Sequence, residues 1–140
     1  MNPTTLFYIL IAIIIISFII DKILDTLNTK HFDDKIPDEL ADVYDEQAYK
    51  KSQEYKKTTA KFSNLTSTFS IILTVSFFFA DGFKYADNFA RSFTDLPILV
   101  ALIFFGVIML GSDLLTTPFS YYRTFVIEEK FGFNKSTKKL

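Results

Sequence analysis

The sequence has no cysteine, no tryptophan and a single histidine, His31. Without cysteine there is no disulfide framework, no thiolate ligand and no cysteine nucleophile, and one imidazole cannot build a two-histidine zinc site. The chain also lacks an excess of either charge: fifteen Lys and Arg stand against sixteen Asp and Glu, a formal charge of −1. So balanced a chain presents no overall basic field, which argues against nucleic acid as a partner. Apolar side chains, by contrast, make up 49% of the 140 residues, and the mean hydropathy is +0.24. That is too apolar for an ordinary soluble domain, and because 22% of the residues are charged the apolar ones must be segregated into blocks. Seventeen Phe and seven Tyr suit packed helices and the interfacial belts of a membrane protein.

Three uncharged blocks carry the membrane reading. Residues 1–20 contain no charged side chain, and residues 6–20 are apolar apart from Ser17. With its uncharged flanks this block approaches the roughly 20 residues that cross about 30 Å of hydrocarbon. A cleaved signal peptide would want a basic leading segment and a small-x-small site after the apolar run; here the leading residues are uncharged and Asp21-Lys22-Ile23 comes next. Residues 62–80 form the second block, with Ser, Thr or Asn at eight positions. Ser63, Thr66, Ser70 and Thr74 recur at steps of three and four, so a helix sets them along one face and Phe62, Leu65, Phe69 and Ile72 along another. The polar stripe reads either as interhelical packing, with hydroxyls bonded to neighbours or to their own backbone, or as the lining of a wet cavity. Residues 96–112 are the third block, continued by the uncharged 114–122.

The expected spans are therefore about 4–22, 62–80 and 96–117. Asp113 falls about a turn inside the end of the last one, where a carboxylate costs less than the ~2.5–3.5 kcal/mol of the bilayer centre. It reads as a water-exposed interfacial group or as an inward-facing contact or functional acid. Pro118 has no N–H and crowds the preceding turn, so it is expected to kink or restart the helix.

Of the fifteen basic residues, only Lys84 and Arg91 lie in the connection 81–95, and the rest lie in 21–61 and 118–140. The positive-inside rule makes the connection 23–61 and the tail 118–140 cytoplasmic and puts the N-terminus and the connection 81–95 on the outer or lumenal side. The first connection reads as structure rather than linker. Pro37 is followed by Asp38 and Glu39, the chemistry of a first helical turn, and no Gly or Pro occurs from Asp38 to Asp81. One long cytoplasmic helix is expected to run into the second span, its acids preceding its bases as the helix dipole favours and Glu46 placed to pair with Lys50. Most of these charges read as a solvated face. In the second connection Phe83, Phe89 and Phe93 alternate with polar residues, which suggests a short amphipathic segment at the interface. The fold class is all-α, a polytopic membrane protein with three transmembrane helices in a lipid bilayer.

The most distinctive stretch begins after Pro118 and reads as a helix entered there and closed by Gly132 as a left-handed cap, with Asn134 or Ser136 free to cap the next segment of chain. Within it, Phe125-Val126-Ile127-Glu128-Glu129-Lys130-Phe131-Gly132-Phe133-Asn134-Lys135 resembles the segment that comes after the early membrane helices of the CAAX prenyl proteases, integral-membrane zinc endopeptidases. The stretch Tyr49-Lys50-Lys51-Ser52-Gln53-Glu54-Tyr55 resembles the first cytoplasmic connection of the same family. The residues that carry the match are Tyr49, Lys51, Ser52 and Tyr55 in one segment and Phe125, Glu128, Glu129, Lys130, Gly132, Phe133 and Asn134 in the other. The second segment is the specific one. Two motifs in the right order, each beside a span, cover essentially the whole chain as the family's N-terminal region.

The departure from the family is equally informative. Its zinc is held by a His-Glu-x-x-His helix and a further Glu, and a chain with one His contains no such motif. No catalytic or metal residue is assigned in this chain, no cofactor is expected in it, and His31 reads as a solvated loop residue. The resemblance implies zinc in the full-length protein, a downstream catalytic part after Leu140, a prenylated or membrane-associated peptide as substrate, and a bacterial inner membrane or endoplasmic reticulum as location. On that expectation the chain is the non-catalytic membrane part of the enzyme and by itself inactive, with Ser63, Thr66, Ser70, Thr74 and Asp113 as possible chamber-facing groups. The other reading is a free-standing three-span assembly factor or transporter subunit. A stop codon after Leu140 would favour that reading, and further spans with a zinc motif would favour the protease.

Overall fold

The computed structural model describes residues 2–32, 36 and 45–136, and over these residues the fold is helical with no strand. Three helices are long and apolar enough to cross a membrane, so the all-α, three-span architecture expected from the sequence is the one observed. The chain divides into two compact units, residues 1–71 with 123–140, and residues 72–122.

The first helix, α1, spans Pro3–Thr29. Asn2 starts it, its side-chain oxygen accepting the N–H of Thr4 at 3.1 Å, and Pro3 stands where no N–H is needed. At about 1.5 Å per residue the helix outreaches the hydrocarbon. It passes the expected end at residue 22 because Ile23, Leu24 and Leu27 keep the helical spacing and no Gly or Pro interrupts it.

The second helix, α2, spans Glu46–Phe79. Asp45 begins it: its carbonyl accepts the Tyr49 N–H at 2.9 Å, the first bond of the helical ladder, and its carboxylate accepts the Ala48 N–H at 3.2 Å, which satisfies one of the free donors of a helix start. The start expected at Pro37 lies outside the described residues. Glu46 and Lys50 are paired at 2.7 Å one turn apart.

In the second unit, Asp81 takes a left-handed conformation, φ 55°, and turns the chain from α2 into α3, Gly82–Arg91. Helix α3 packs on α4. Ala86 and Ala90 are buried, small side chains of the kind that let membrane helices approach closely. Phe83 lies 4.9 Å from both Phe77 and Phe78, ring centre to ring centre. On the outer face of α3, Asp87 accepts a hydrogen bond from Arg91 at 2.8 Å, and this bond raises the guanidinium above its ordinary pKa.

The fourth helix, α4, spans Pro97–Tyr122 with Pro118 inside it. The sequence points to a kink or a restart at Pro118; the helix does not restart there but runs through. Proline removes one donor, whereas ending the helix in an apolar setting would strand a whole turn of backbone groups. One turn later the ladder widens into a π segment, Arg123–Glu128, with the short α5, Glu129–Phe131, after it. In the π segment residues five apart face each other, and Arg123 Nε lies 3.7 Å from Glu128 Oε1. Helical structure thus continues well past Asp113, which therefore does not sit near the end of a helix.

Candidate functional site

The two distinctive sequence segments meet in the first unit. Tyr55, on the first turns of α2, holds its ring 5.4 Å from Phe131 and 4.7 Å from Phe133. Those two phenylalanines reach one tyrosine because the chain reverses between them at Gly132, φ 78° and ψ 18°. The reversal is hydrogen-bonded: Phe133 N–H donates to the Glu128 carbonyl at 2.8 Å and Gly132 N–H to the Glu129 carbonyl at 3.1 Å, the paired bonds of a Schellman cap. Asn134 N–H also reaches the Glu128 carbonyl, at 3.3 Å, and the Asn134 side chain accepts from Ser136 N–H at 2.7 Å. Lys51 approaches from α2; a Cβ added at Gly132 would lie 3.7 Å from its Nζ.

The other motif residues surround this contact with different exposures. Phe131 is buried, while Ser52, Phe125, Glu128 and Asn134 are half-buried and Lys51, Glu129 and Lys130 face outward. Gln53, which carried no assigned role, is buried at 5% exposure, and its Oε1 has no hydrogen-bond partner among the described residues. Tyr49, half-buried, lies two turns before Tyr55.

A second polar cluster joins α1 to α2. Lys22 Nζ donates to the Asn64 carbonyl at 3.1 Å, to the Asn64 side-chain oxygen and to Ser67 Oγ at 2.6 Å. Its ammonium also sits 5.1 Å from the centre of the Phe18 ring. The sequence offered one signal for this cluster, a charge directly after the apolar run. The partners lie one helical position beside the stripe that the spacing picked out.

The stripe itself does not converge on one place. Ser63 borders a groove in the first unit, and Thr66 Oγ1 donates to its own helix at the Ser63 carbonyl, 3.0 Å away. Ser70 is exposed. Thr74 borders an apolar cavity of about 690 Å³ in the second unit, among Leu73, Phe77, Phe83, Ile108 and Leu115. Asp113 is exposed, and its carbonyl accepts from Thr117 Oγ1 at 2.6 Å. His31 is exposed in the turn after α1, and among the described residues no three His, Cys, Asp or Glu side chains gather in a way that could hold a metal ion.

Comparison with known proteins gives a consistent picture. The sequence model of the family described as "CAAX prenyl protease N-terminal, five membrane helices" matches residues 25–140. The chain is 35% identical over 120 residues to the probable CAAX prenyl protease 1 of Schizosaccharomyces pombe, covering 76% of this chain and 25% of that protein. It is 32% identical over 111 residues to the CAAX prenyl protease 1 homolog of Dictyostelium discoideum, covering 76% of this chain and 26% of that one. It therefore spans about a quarter of the length of these relatives. The crystal structure of S. mikatae Ste24p superposes with a TM-score of 0.86 at 29% identity, over 99% of this chain and 33% of that one.

Proposed function

The chain belongs to the CAAX prenyl protease N-terminal family, and from that premise we propose that it builds part of the membrane chamber in which a zinc metalloendopeptidase cuts prenylated or membrane-associated proteins. As an integral membrane domain of this family it supplies helices and not the reaction centre. The observation that carries the reading is the contact of Tyr55 with Phe131 and Phe133. Two segments far apart in sequence, both inside the stretch that the family's sequence model matches, fold onto one another and fix how the long helix α2 meets the segment beyond α4.

In this reading the downstream part of the same polypeptide would carry the His-Glu-x-x-His helix, whose zinc would supply Lewis-acid chemistry for peptide hydrolysis. The present chain contributes walls and access. The hydroxyl-rich face of α2, Ser63, Thr66, Ser70 and Thr74, supplies the wetted side of that wall, because hydroxyls tolerate both water and a neighbouring helix where charged groups would be costly. Asp113 belongs to the same proposal as an exposed acid. The distribution of basic residues supports an N-terminus on the outer or lumenal side and a cytoplasmic tail, in the endoplasmic reticulum or a bacterial inner membrane.

The test is metal content and cleavage of a farnesylated peptide, measured in one detergent on the natural full-length product and on residues 1–140. One zinc per chain and chelator-sensitive cleavage are expected in the full-length product alone. A natural product that ends at Leu140, holds no zinc and cleaves nothing would overturn the protease reading in favour of a three-span assembly factor or transporter subunit.

A further inference from the structure

We propose that the end of α1 around Lys22 binds one anionic phospholipid, its phosphate against the Lys22 ammonium and an acyl chain laid along α1. The site stands on the geometry of the first unit and requires only that α1 spans a membrane, so it does not depend on the protease reading.

Lys22 is half-buried, and its acceptors among the described residues are neutral: a backbone carbonyl, an amide oxygen and a hydroxyl. Among the described residues no carboxylate lies within ion-pair distance of it. Neutral dipoles satisfy its hydrogen bonds but leave the charge uncompensated, and beside a charge-free apolar run an uncompensated cation favours a counter-anion. Asn64 provides two of the three acceptors, so one bond can pass to an incoming oxygen without leaving the helices unjoined.

The space on the two sides of Lys22 differs in character. On one side lies a cavity of about 390 Å³ that mixes polar groups, Asn28, Thr29, Thr59 and Asn64, with the rings of Phe32 and Tyr55. On the other lies a groove of about 390 Å³, bordered by Phe18, Ile19, Ile23 and Leu27. Lys22 and Thr26 border both. Asp25 also borders the cavity, but Lys22 and Lys56 leave the charge there positive. Ile19, Ile23 and Leu27 stay about half exposed, at 49%, 54% and 51%, and thus remain available to an alkyl chain.

A hollow that offers polar groups and an apolar groove, joined at a cation, match a headgroup, an acyl chain and the phosphate between them. A free anion would use only the first half and a simple hydrocarbon only the second. The depth agrees: Asp21 and Lys22 are the first charges after residues 1–20, which places Lys22 at the level where a membrane begins to carry its own charges.

The test takes the full natural-length protein, stripped of lipid in detergent, and offers phosphatidylserine and phosphatidylcholine with identical acyl chains in equal amounts. Native mass spectrometry counts the lipid retained. One phosphatidylserine per chain, retained about tenfold over phosphatidylcholine, is expected for a charge-assisted contact. Lys22→Gln, which keeps a hydrogen-bond donor and removes the charge, is expected to abolish the preference, and Lys22→Arg to keep it. The exposed Lys56→Gln is expected to weaken it about threefold, as a peripheral charge does, and decides the matter if Lys22→Gln does not fold. Equal retention of the two lipids by the wild type, or a preference that survives Lys22→Gln, would overturn the proposal. Displacement of the lipid by inorganic phosphate would overturn it as well, in favour of a free-anion site.

Discussion

Gly132→Val isolates the backbone contribution to the junction between the two motif segments. Gly132 has φ 78°, where an L residue meets its own carbonyl at a cost of about 1–2 kcal/mol and a β-branched one at the upper end or beyond. Space is not the obstacle, because the nearest atom to an added Cβ is Lys51 Nζ at 3.7 Å, an ordinary contact. The whole effect is therefore strain in a turn whose two cap bonds bring Phe133 to Tyr55. Relieving that strain means opening the tail, and about 1–2 kcal/mol raises the open population roughly 5- to 30-fold. Tryptic cleavage after Lys130 reads this directly, because the next residue, Phe131, is buried at 4% exposure and the bond is cut only in the open form. When reclosing is faster than cutting, the rate tracks the open population. Gly132→Val should thus be cut about 5- to 30-fold faster than wild type, and Gly132→Asn within a few-fold of it, since asparagine tolerates this conformation. Gly106→Ala is the control: it lies inside α4 with open space around it, and alanine favours the helix. Equal rates for Gly132→Val and wild type would refute the strain argument, and equal acceleration in the Val and Asn variants would refute its steric origin.

Three other outcomes are expected of the same structure. Tyr55→Ala removes both ring contacts of the junction, each worth about 0.5–1.5 kcal/mol beyond burial, so cleavage after Lys130 should accelerate at least about tenfold, while Tyr55→Phe should stay near wild type. Gly82→Ala would drive a methyl group into the Phe77 ring; overpacking of this kind costs about 1–3 kcal/mol and should lower the thermal midpoint in detergent, whereas a rise would show that the ring yields freely. For orientation, single cysteines at the exposed positions Asn2, Glu54, Asn88 and Ser136 can be probed with an impermeant thiol reagent on sealed, oriented vesicles or intact cells. Labelling of Asn2 and Asn88 from the outer or lumenal side, with Glu54 and Ser136 protected, is expected from the basic-residue distribution, and the reverse pattern would overturn that orientation.

Much of the architecture was legible because a bilayer imposes a one-dimensional rule. About 20 uncharged, mostly apolar residues must become a helix, so residues 1–20, 62–80 and 96–112 announced their spans without reference to any partner. Gly132 was equally legible as a left-handed cap, since a polar turn succeeds an apolar helical pattern there and glycine takes positive φ freely. Local signals misled where a longer-range term outweighed them. Pro118 removes one donor, a smaller loss than ending the helix would bring, so α4 runs through it.

The choice of face on α2 was beyond the sequence for a different reason. With eight polar residues in 62–80, more than one face shows steps of three and four, and the periodicity alone cannot rank them. Only the approach of α1 did so, by engaging Asn64 and Ser67 with Lys22 while Thr66 turned back onto its own helix. Gln53 was likewise indistinguishable from its polar neighbours until packing buried it. Length and hydropathy, as properties of single segments, were enough to establish an all-helical membrane chain, and the run Phe125–Lys135 carried the resemblance to the CAAX prenyl proteases. Tertiary structure alone decided that Tyr55 receives Phe131 and Phe133 and that Lys22 receives Asn64 and Ser67, because which groups meet depends on how helices distant in sequence pack, and no local pattern encodes that distance.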